Sequence, residues 1–323
     1  MPADTPDTPA IDLIVDAPSA GLRLDQFLAL RIADLSRASL AMALRAGVLL
    51  VDGQPKKCGY RLRGGERISG AVPPRQPMRL VAEEVPFTIL FEDEALLVIA
   101  KPPGLVAHPG SGNLTGTLAG GLLHYCATLQ NVGDAMRPGL VHRLDKDTSG
   151  VLLVAKNERV HRLLMEKFQR RQVRKKYLAL VHGHFAVKAG RIEAPIGRHP
   201  VNRQKMAVVP SGRQAISEWR VEKEFVGLAL LRLQIETGRT HQIRVHLAHI
   251  GHPVAGDQVY GRHGQAEAAR FPRQMLHAES IALAHPLSGE EMLFTAPLWP
   301  DFQAALSELR ELRESRGTSP LMP

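Results

Sequence analysis

Near the start of the chain, apolar residues recur at helical spacing. Leu24, Phe27, Leu28 and Ile32 mark one face of a first helix. Leu40 and Leu44 mark a second, which Ser36 caps and Gly47 ends. The pattern then shifts to period two. Val48–Val51, an Asp52-Gly53 turn and the stretch to Ile68 predict a hairpin of two short strands. Pro73, Pro74 and Pro77 sit in a polar stretch without periodicity, which predicts a linker over 73–85 and a domain boundary.

Beyond the linker, residues 86–314 read as one domain whose strands come in neighbouring pairs. Thr88–Phe91 pairs with Leu96–Ala100 across Glu92-Asp93-Glu94, and Ala215–Val221 with Leu228–Ile235 across Phe225-Val226-Gly227. Helices are predicted over Glu158–Arg171, with Val160, Leu163, Leu164 and Phe168 as the apolar stripe, near Gln242–Ile250, and over Asp301–Arg313. Paired strands with separate helices predict an α+β fold on a mixed, mainly antiparallel sheet, not a doubly wound one. Residues 1–19, acidic and rich in Pro and Thr, are expected as a flexible leader, and 315–323 as a frayed tail.

Composition narrows the class. With 323 residues, 44% of them hydrophobic, the chain can bury one large core and a small satellite, which excludes simple disorder. Cys58 and Cys126 lie far apart with no Cys-x-x-Cys spacing, so neither a disulfide framework nor a thiolate metal site is indicated, and a reducing cytoplasm is expected. No apolar run is long enough to cross a bilayer as a helix, and the first residues lack the order of a signal peptide. With no coiled-coil heptads, a monomer is expected.

The net charge of +9 is unevenly placed, with cations crowded into 162–176 and 198–213. An acidic polymer is the natural partner, although charge alone does not separate that from a solvated basic surface. The N-terminal helices and hairpin carry Arg37, Lys56 and Lys57 among further cations. In this they resemble the S-four-like RNA-binding domain, expected over 20–72; an ordinary small α+β unit is the alternative reading.

Two polar segments stand out beside apolar strands. One runs from Gly139 through His142-Arg143-Leu144-Asp145 to Thr148-Ser149-Gly150, just before the apolar Val151–Ala155; the other is Glu236-Thr237-Gly238-Arg239-Thr240-His241-Gln242-Ile243-Arg244. No phosphate-cradling loop or dinucleotide fingerprint is present. The His142–Gly150 segment resembles the signature of the RluA family of pseudouridine synthases. The same family is matched by Lys175-x-Tyr177, by Gly238–Arg244, and by Pro253–Asp257 with Tyr260-Gly261, in the family's order. Coverage runs from Leu22 to Pro297. Val106–Gly110, Arg198-His199-Pro200 and Met206–Val208 look most like members acting on large-subunit ribosomal RNA, whereas Ala100 before Lys101-Pro102 departs from the Asn common there.

The resemblance implies isomerisation of uridine to pseudouridine without metal or cofactor, with ribosomal RNA as partner, either free or within pre-ribosomal particles. It implies Asp145 as the catalytic carboxylate, acting at the anomeric carbon, at a ribose proton or, in an older proposal, on the uracil ring. Asp147 is the nearest rival. Arg244 is expected to pair with Asp145, because a carboxylate buried against a base must be paired or it takes up a proton. Tyr177 is expected to face the uracil, and the target base to leave its stack. Arg143, His142, Arg239 and His241 are expected at the RNA. Arg170, Arg171, Arg174, Lys175 and Lys176 are expected to grip phosphates together with Arg37, Lys56 and Lys57.

Two other classes stay open. His241, His246, His249 and His252 could furnish a metallohydrolase site, although no acidic third ligand is near the i, i+3 pair and Arg244 would repel a cation. A non-catalytic RNA-binding or ribosome-assembly factor is the second.

Overall fold

The computed structural model describes residues 10–32, 35, 37–72, 79–110, 113–261 and 264–309. The Ser36 cap, the three linker prolines and everything after Leu309 lie outside these residues. The chain divides between Met78 and Arg79 into two compact units.

The N-terminal unit comprises β1 (Ala10–Ile14), α1 (Leu24–Arg31), α2 (Arg37–Arg45), β2 (Leu49–Val51) and β3 (Arg67–Ala71), with sheet order β1-β3-β2. Leu24, Phe27, Leu28, Leu40 and Leu44 bury together under the sheet residues Leu49, Val51 and Ile68. At the end of α2, Gly47 takes a φ of 70°, and the amides of Gly47 and Val48 return to the carbonyls of Leu44 and Ala43. This is a Schellman end, which needs a residue free to enter the left-handed region.

Two expectations are corrected here. The leader assigned to 1–19 includes a strand: Ile11 and Leu13 of β1 face Gly70 and Ile68 of β3, and Val15 is buried. Acidic and proline-rich composition hid it, because its apolar alternation spans only five residues. The hairpin is also looser than expected. Asp52-Gly53 does turn tightly, but only Val51 and Gln54 bridge across it; the strand facing Val51 is β3, reached after an excursion over 52–66.

The larger unit opens with β4 (Thr88–Glu92), β5 (Leu96–Lys101), α3 (Leu118–Tyr125), β6 (Gly133–Asp134), β7 (Arg137–Pro138), β8 (Ser149–Ala155), α4 (Glu158–Gln169) and β9 (Arg174–His182). It continues with β10 (Ala189–Glu193), β11 (Ile196–Arg198), β12 (Met206–Val208), β13 (Ile216–Phe225), β14 (Leu228–Ile235) and α5 (Gln242–His249). It closes with α6 (Gln265–Arg270), β15 (Leu276–Ala284), β16 (Glu291–Thr295) and α7 (Pro300–Ser307). Nine strands form one sheet in the order β10-β13-β14-β9-β15-β8-β5-β4, with β16 also on β15.

Both predicted hairpins are present. Asp93 accepts from the amides of Ala95 and Leu96 at 2.7 and 2.6 Å, turning the chain between β4 and β5. β5 and β8 are buried along their whole length, as unbroken apolar runs should be when both faces of a sheet are covered. Every pairing in this sheet is antiparallel except one: β15 runs parallel to β8, with His277 beside Ser149 and Ala278 beside Gly150. The sheet is thus two antiparallel halves joined at a short parallel seam, and the Asp145 segment enters the sheet at that seam.

Gly150 makes the seam close enough. Its φ is 120°, and a Cβ there would lie 2.2 Å from the carbonyl oxygen of Ala278. Gly150→Ala is therefore expected to cost about 2–4 kcal/mol from backbone strain and displacement of β15. Denaturant unfolding of the two proteins measures it.

Candidate active site

Three pieces of backbone converge where the seam meets the ends of β9 and β14. The loop ahead of β8 carries Asp145. Tyr177 is the fourth residue of β9, between Leu233 of β14 and Ala278 of β15. After β14, the turn 236–241 feeds α5, whose third residue is Arg244. Buried side chains fasten this turn. Thr237 Oγ1 accepts from the Ile216 amide (3.0 Å) and donates to Gln242 Oε1 (2.8 Å), while Gln242 Nε2 donates to the Ile216 carbonyl (2.9 Å). His241, at the cap of α5, is left-handed with φ 57°.

Arg244 Nη1 donates to Asp145 Oδ2 at 3.0 Å. The rest of the guanidinium is committed to Asp257, with Nε to Oδ2 at 2.7 Å and Nη2 to Oδ1 at 2.8 Å. Asp257 is fully buried and also accepts from the amides of Val259 and Tyr260. The Tyr260 ring lies 5.1 Å from the guanidinium carbon, and its hydroxyl shares a 2.8 Å hydrogen bond with His241 Nδ1. His241 Nε2 stands 4.0 Å from Asp145 Oδ1. Asp145, Tyr177, His241 and Arg244 line one cleft, in which Asp145 is the only carboxylate among the lining residues.

Burial and charge act in opposite directions here. Burial by itself would pull the Arg244 pKa down, but the hydrogen bonds and charges of Asp257 and Asp145 outweigh it and leave the guanidinium more basic than usual. Burial likewise pushes Asp257 up, yet Arg244 and two backbone amides hold its carboxyl below the usual range. Tyr177 moves up, from burial first and the negative charge of Asp145 second, so it is a neutral phenol at physiological pH. Burial lowers His241 in spite of Asp145.

A further set of residues holds the Asp145 loop from behind, and sequence reasoning passed over it. Lys101, fully buried at the end of β5 opposite Gly150, donates to the carbonyls of Pro102, Leu105 and Lys146 at 2.7, 2.9 and 2.9 Å. Burial, the largest influence, pulls its pKa to about 7, whereas three carbonyl acceptors match the three protons of an ammonium. Those acceptors favour the protonated form and oppose the effect of burial. Arg273 binds Asp301 through two nitrogens and reaches the Asp147 carbonyl at 2.9 Å, and Gln274 Nε2 donates to Thr148 Oγ1 at 2.9 Å. Asp257 was also missed as a functional residue. Its signal was a lone acid in the apolar run Pro253-Val254-Ala255-Gly256, and Lys101 was likewise a lone cation ending an apolar strand.

Other predicted residues fall in several places. Arg143 and Arg239 line the cleft. Burial, then the like charges of Arg213 and Arg171, lowers the pKa of Arg239. His142 points elsewhere: its Nε2 accepts from the Leu153 amide at 2.9 Å, and its ring stacks on Phe168 with centroids 5.0 Å apart. Arg170, Arg171 and Arg174 pair with Glu166, Glu236 and Glu291, while Lys176 is exposed. In the N-terminal unit Arg37 opens α2 at 3.6 Å from Asp25, Lys56 lies over the Tyr60 ring, and Lys57 is exposed.

Three of the four histidines considered as metal ligands have different protein partners. His246 binds Ser217 and the Ala194 carbonyl, His252 binds the His182 carbonyl, and His241 binds Tyr260. Among the described residues no three His, Cys, Asp or Glu converge as a metal site. Asp147 offers Arg273 its carbonyl and does not line the cleft.

Asp257→Asn leaves the buried guanidinium without its main counter-charge and is expected to cost about 3–5 kcal/mol. Because the folded pKa of Asp257 is lowered, its stabilisation is complete above about pH 4 and is lost as pH falls through the folded value. The variant should lack that part of the acid limb. Unfolding free energies measured from about pH 3 to pH 7 test both points.

The sequence model of the RNA pseudouridylate synthase family matches residues 95–249, which include Asp145, Tyr177 and Arg244. A Nitrosomonas europaea protein named ribosomal large subunit pseudouridine synthase D is 46% identical, over 96% of this chain and 91% of its own. A Bacillus subtilis protein named as an uncharacterized RNA pseudouridine synthase is 40% identical, over 93% and 98%. Among solved structures, human RNA pseudouridylate synthase domain containing 1 superposes with a TM-score of 0.57 at 27% identity, over 70% of this chain and 89% of that one. With a relative this similar along nearly its whole length, and with the mainly antiparallel sheet of its structural neighbours, the chain belongs to the RNA pseudouridine synthases, isomerases of uridine in RNA.

Proposed function

We propose that the protein converts specific uridines of large-subunit ribosomal RNA to pseudouridine, with Asp145 as the nucleophile. One observation carries the reading: a single carboxylate in the cleft, held by a guanidinium that a buried second aspartate fixes in place. The Nitrosomonas europaea relative, and an Escherichia coli relative 41% identical over 90% of this chain, are named for the large ribosomal subunit.

The reaction breaks the N1–C1′ bond and forms C5–C1′; C5 loses a proton and N1 ends with one, so no electrons are exchanged. Arg244 occupies Oδ2 of Asp145, which leaves Oδ1 to attack C1′ or to take the ribose proton. Tyr177, a neutral phenol, offers its ring face to the uracil and its hydroxyl to the ribose. Closure of the cleft by base and protein excludes the water that would turn isomerisation into hydrolysis. A stacked uridine cannot reach a recessed carboxylate, so the nucleotide swings out of its helix, and Arg143 at the cleft rim fills the gap. Arg170 and Arg171 exchange their carboxylate partners for phosphates, joined by Arg37, Lys56 and Lys57 of the small unit, whereas Arg174 and Lys176 project from the face of β9 opposite Tyr177. These surface pairs contribute little to stability, so the exchange is cheap.

Pseudouridine mapping on large-subunit ribosomal RNA with wild type, Asp145→Asn and Asp147→Asn tests the assignment. Asp145→Asn should lower single-turnover modification at least about a thousandfold with RNA affinity changed only a few-fold, and Asp147→Asn should remain active. The opposite pattern would show that the wrong carboxylate has been assigned. An unchanged map with Asp145→Asn would instead make the protein a binding or assembly factor.

A further inference from the structure

Among the described residues four cations are buried: Lys101, Lys175, Arg244 and Arg273. Three are matched, Lys101 by three carbonyls, Arg244 by two aspartates and Arg273 by Asp301. Lys175 is not. It is 9% exposed, and the described residues offer its ammonium neither a carboxylate nor a hydrogen-bond acceptor; its neighbour is the face of Phe168, with Nζ 5.6 Å from the ring centroid. Burial alone pulls its pKa to about 8, with no acid opposing. Its stem is buried while the ammonium keeps access to solvent in a groove and has no protein partner among the described residues, so an anion entering the groove can bind it without displacing one.

Its surroundings indicate what that is. Along the start of β9, exposed Arg174 and Lys176 alternate with buried Lys175 and Tyr177, so the lysine and the tyrosine project from the same face of the sheet. They are two residues apart, about 7 Å, a separation that one nucleotide can bridge. Lys175 lines a groove that adjoins the Asp145 cleft, the two sharing Arg143, Tyr177 and Arg239. Arg213, Arg171 and Arg239 line the groove as well, with Glu236, which pairs with Arg171 and Arg191, as its one carboxylate among the lining residues. His142 lines it and is neutral, burial having pushed its pKa to about 3; because Nε2 accepts from the Leu153 amide, the ring proton sits on Nδ1 as a donor.

We propose that Lys175 is a dedicated phosphate subsite, which binds the phosphodiester beside the extruded uridine and so sets the register of the RNA strand against Asp145. This deepens the functional reading above and rests on it. The exposed arginines of the rim exchange one partner for another when RNA arrives, whereas Lys175 acquires its first. Its contribution therefore depends on one phosphate, while theirs spreads over many.

The test uses the full-length protein, a ribosomal RNA transcript that the wild type modifies, and versions of the transcript in which single phosphates around the modified uridine are replaced by neutral methylphosphonates. Lys175→Met should leave the melting temperature within a few degrees of wild type, roughly, because the ammonium it removes reaches solvent and has no partner in the chain. It should weaken RNA binding about tenfold and reduce the slope of log affinity against log salt by about one. Lys175→Arg should recover most of the affinity. One methylphosphonate next to the target should weaken the wild type about tenfold and leave Lys175→Met unaffected, whereas the others weaken both proteins alike. If every methylphosphonate weakens both proteins equally, or if Lys175→Met binds with unchanged affinity and salt slope, the phosphate subsite is wrong while the function stands. A wild type that modifies no uridine of large-subunit ribosomal RNA overturns the function, and the subsite with it.

Discussion

A guanidinium has more donors than one carboxylate can use, and the site is built on that surplus. Asp257 takes two nitrogens of Arg244 in the bidentate geometry that fixes the plane of the group, leaving Nη1 directed at Asp145. Asp257 is itself held by two backbone amides, so the chain of constraint ends in main chain and not in a mobile side chain. The arrangement sets both the charge and the orientation of Asp145. A lysine in place of Arg244 could supply the charge but not the planar fork. The cost of burying this ion triad is accepted because the second aspartate makes the first one rigid.

The sheet supplies the other half of the constraint. A parallel seam between β8 and β15 lets the Asp145 loop enter between two antiparallel halves, and each half contributes residues that hold it. Lys101 comes from β5 on one side, binding the Lys146 carbonyl; Arg273 and Gln274 come from the approach to β15 on the other, binding Asp147 and Thr148. Ser149, the first residue of β8, is hydrogen-bonded to His277 across the seam at 2.9 Å. The loop is thereby hydrogen-bonded at each of the four residues between Asp145 and Gly150.

Buried cations in this fold fall into two kinds. Those that position the loop or the reacting carboxylate are matched by acceptors within the chain, so they stabilise the folded state before any substrate arrives. Lys175 has no such match. Its stem packs into the fold while its ammonium, unpartnered among the described residues, keeps contact with solvent in the groove. Arg170 and Arg171 represent a third condition, paired but exposed, where the pairing is weak enough to be exchanged.

How much of this was legible in the sequence depends on the separation of the interacting residues. The hairpins β4–β5 and β13–β14, the helices α4 and α5, and the α+β class follow from patterns a few residues wide, because helix and hairpin contacts are local. Asp145, Tyr177 and Arg244 were identified through motif resemblance, not through any periodicity. β1 was hidden by the composition of its surroundings, and the strand facing β2 had to come from beyond a long excursion. What the tertiary structure alone decided is what holds the remaining lone charges. Lys101 binds the carbonyl of Lys146 and Arg273 that of Asp147, 45 and 126 residues away, whereas the pairing of Arg244 with Asp145, 99 residues away, was expected from the motif resemblance. Pairing at such distances is set by sheet order and by the parallel seam, and no local pattern of apolar and polar residues encodes either. The same sheet order leaves Lys175 without a partner, and so only the folded chain separates that lysine from the other cations around it.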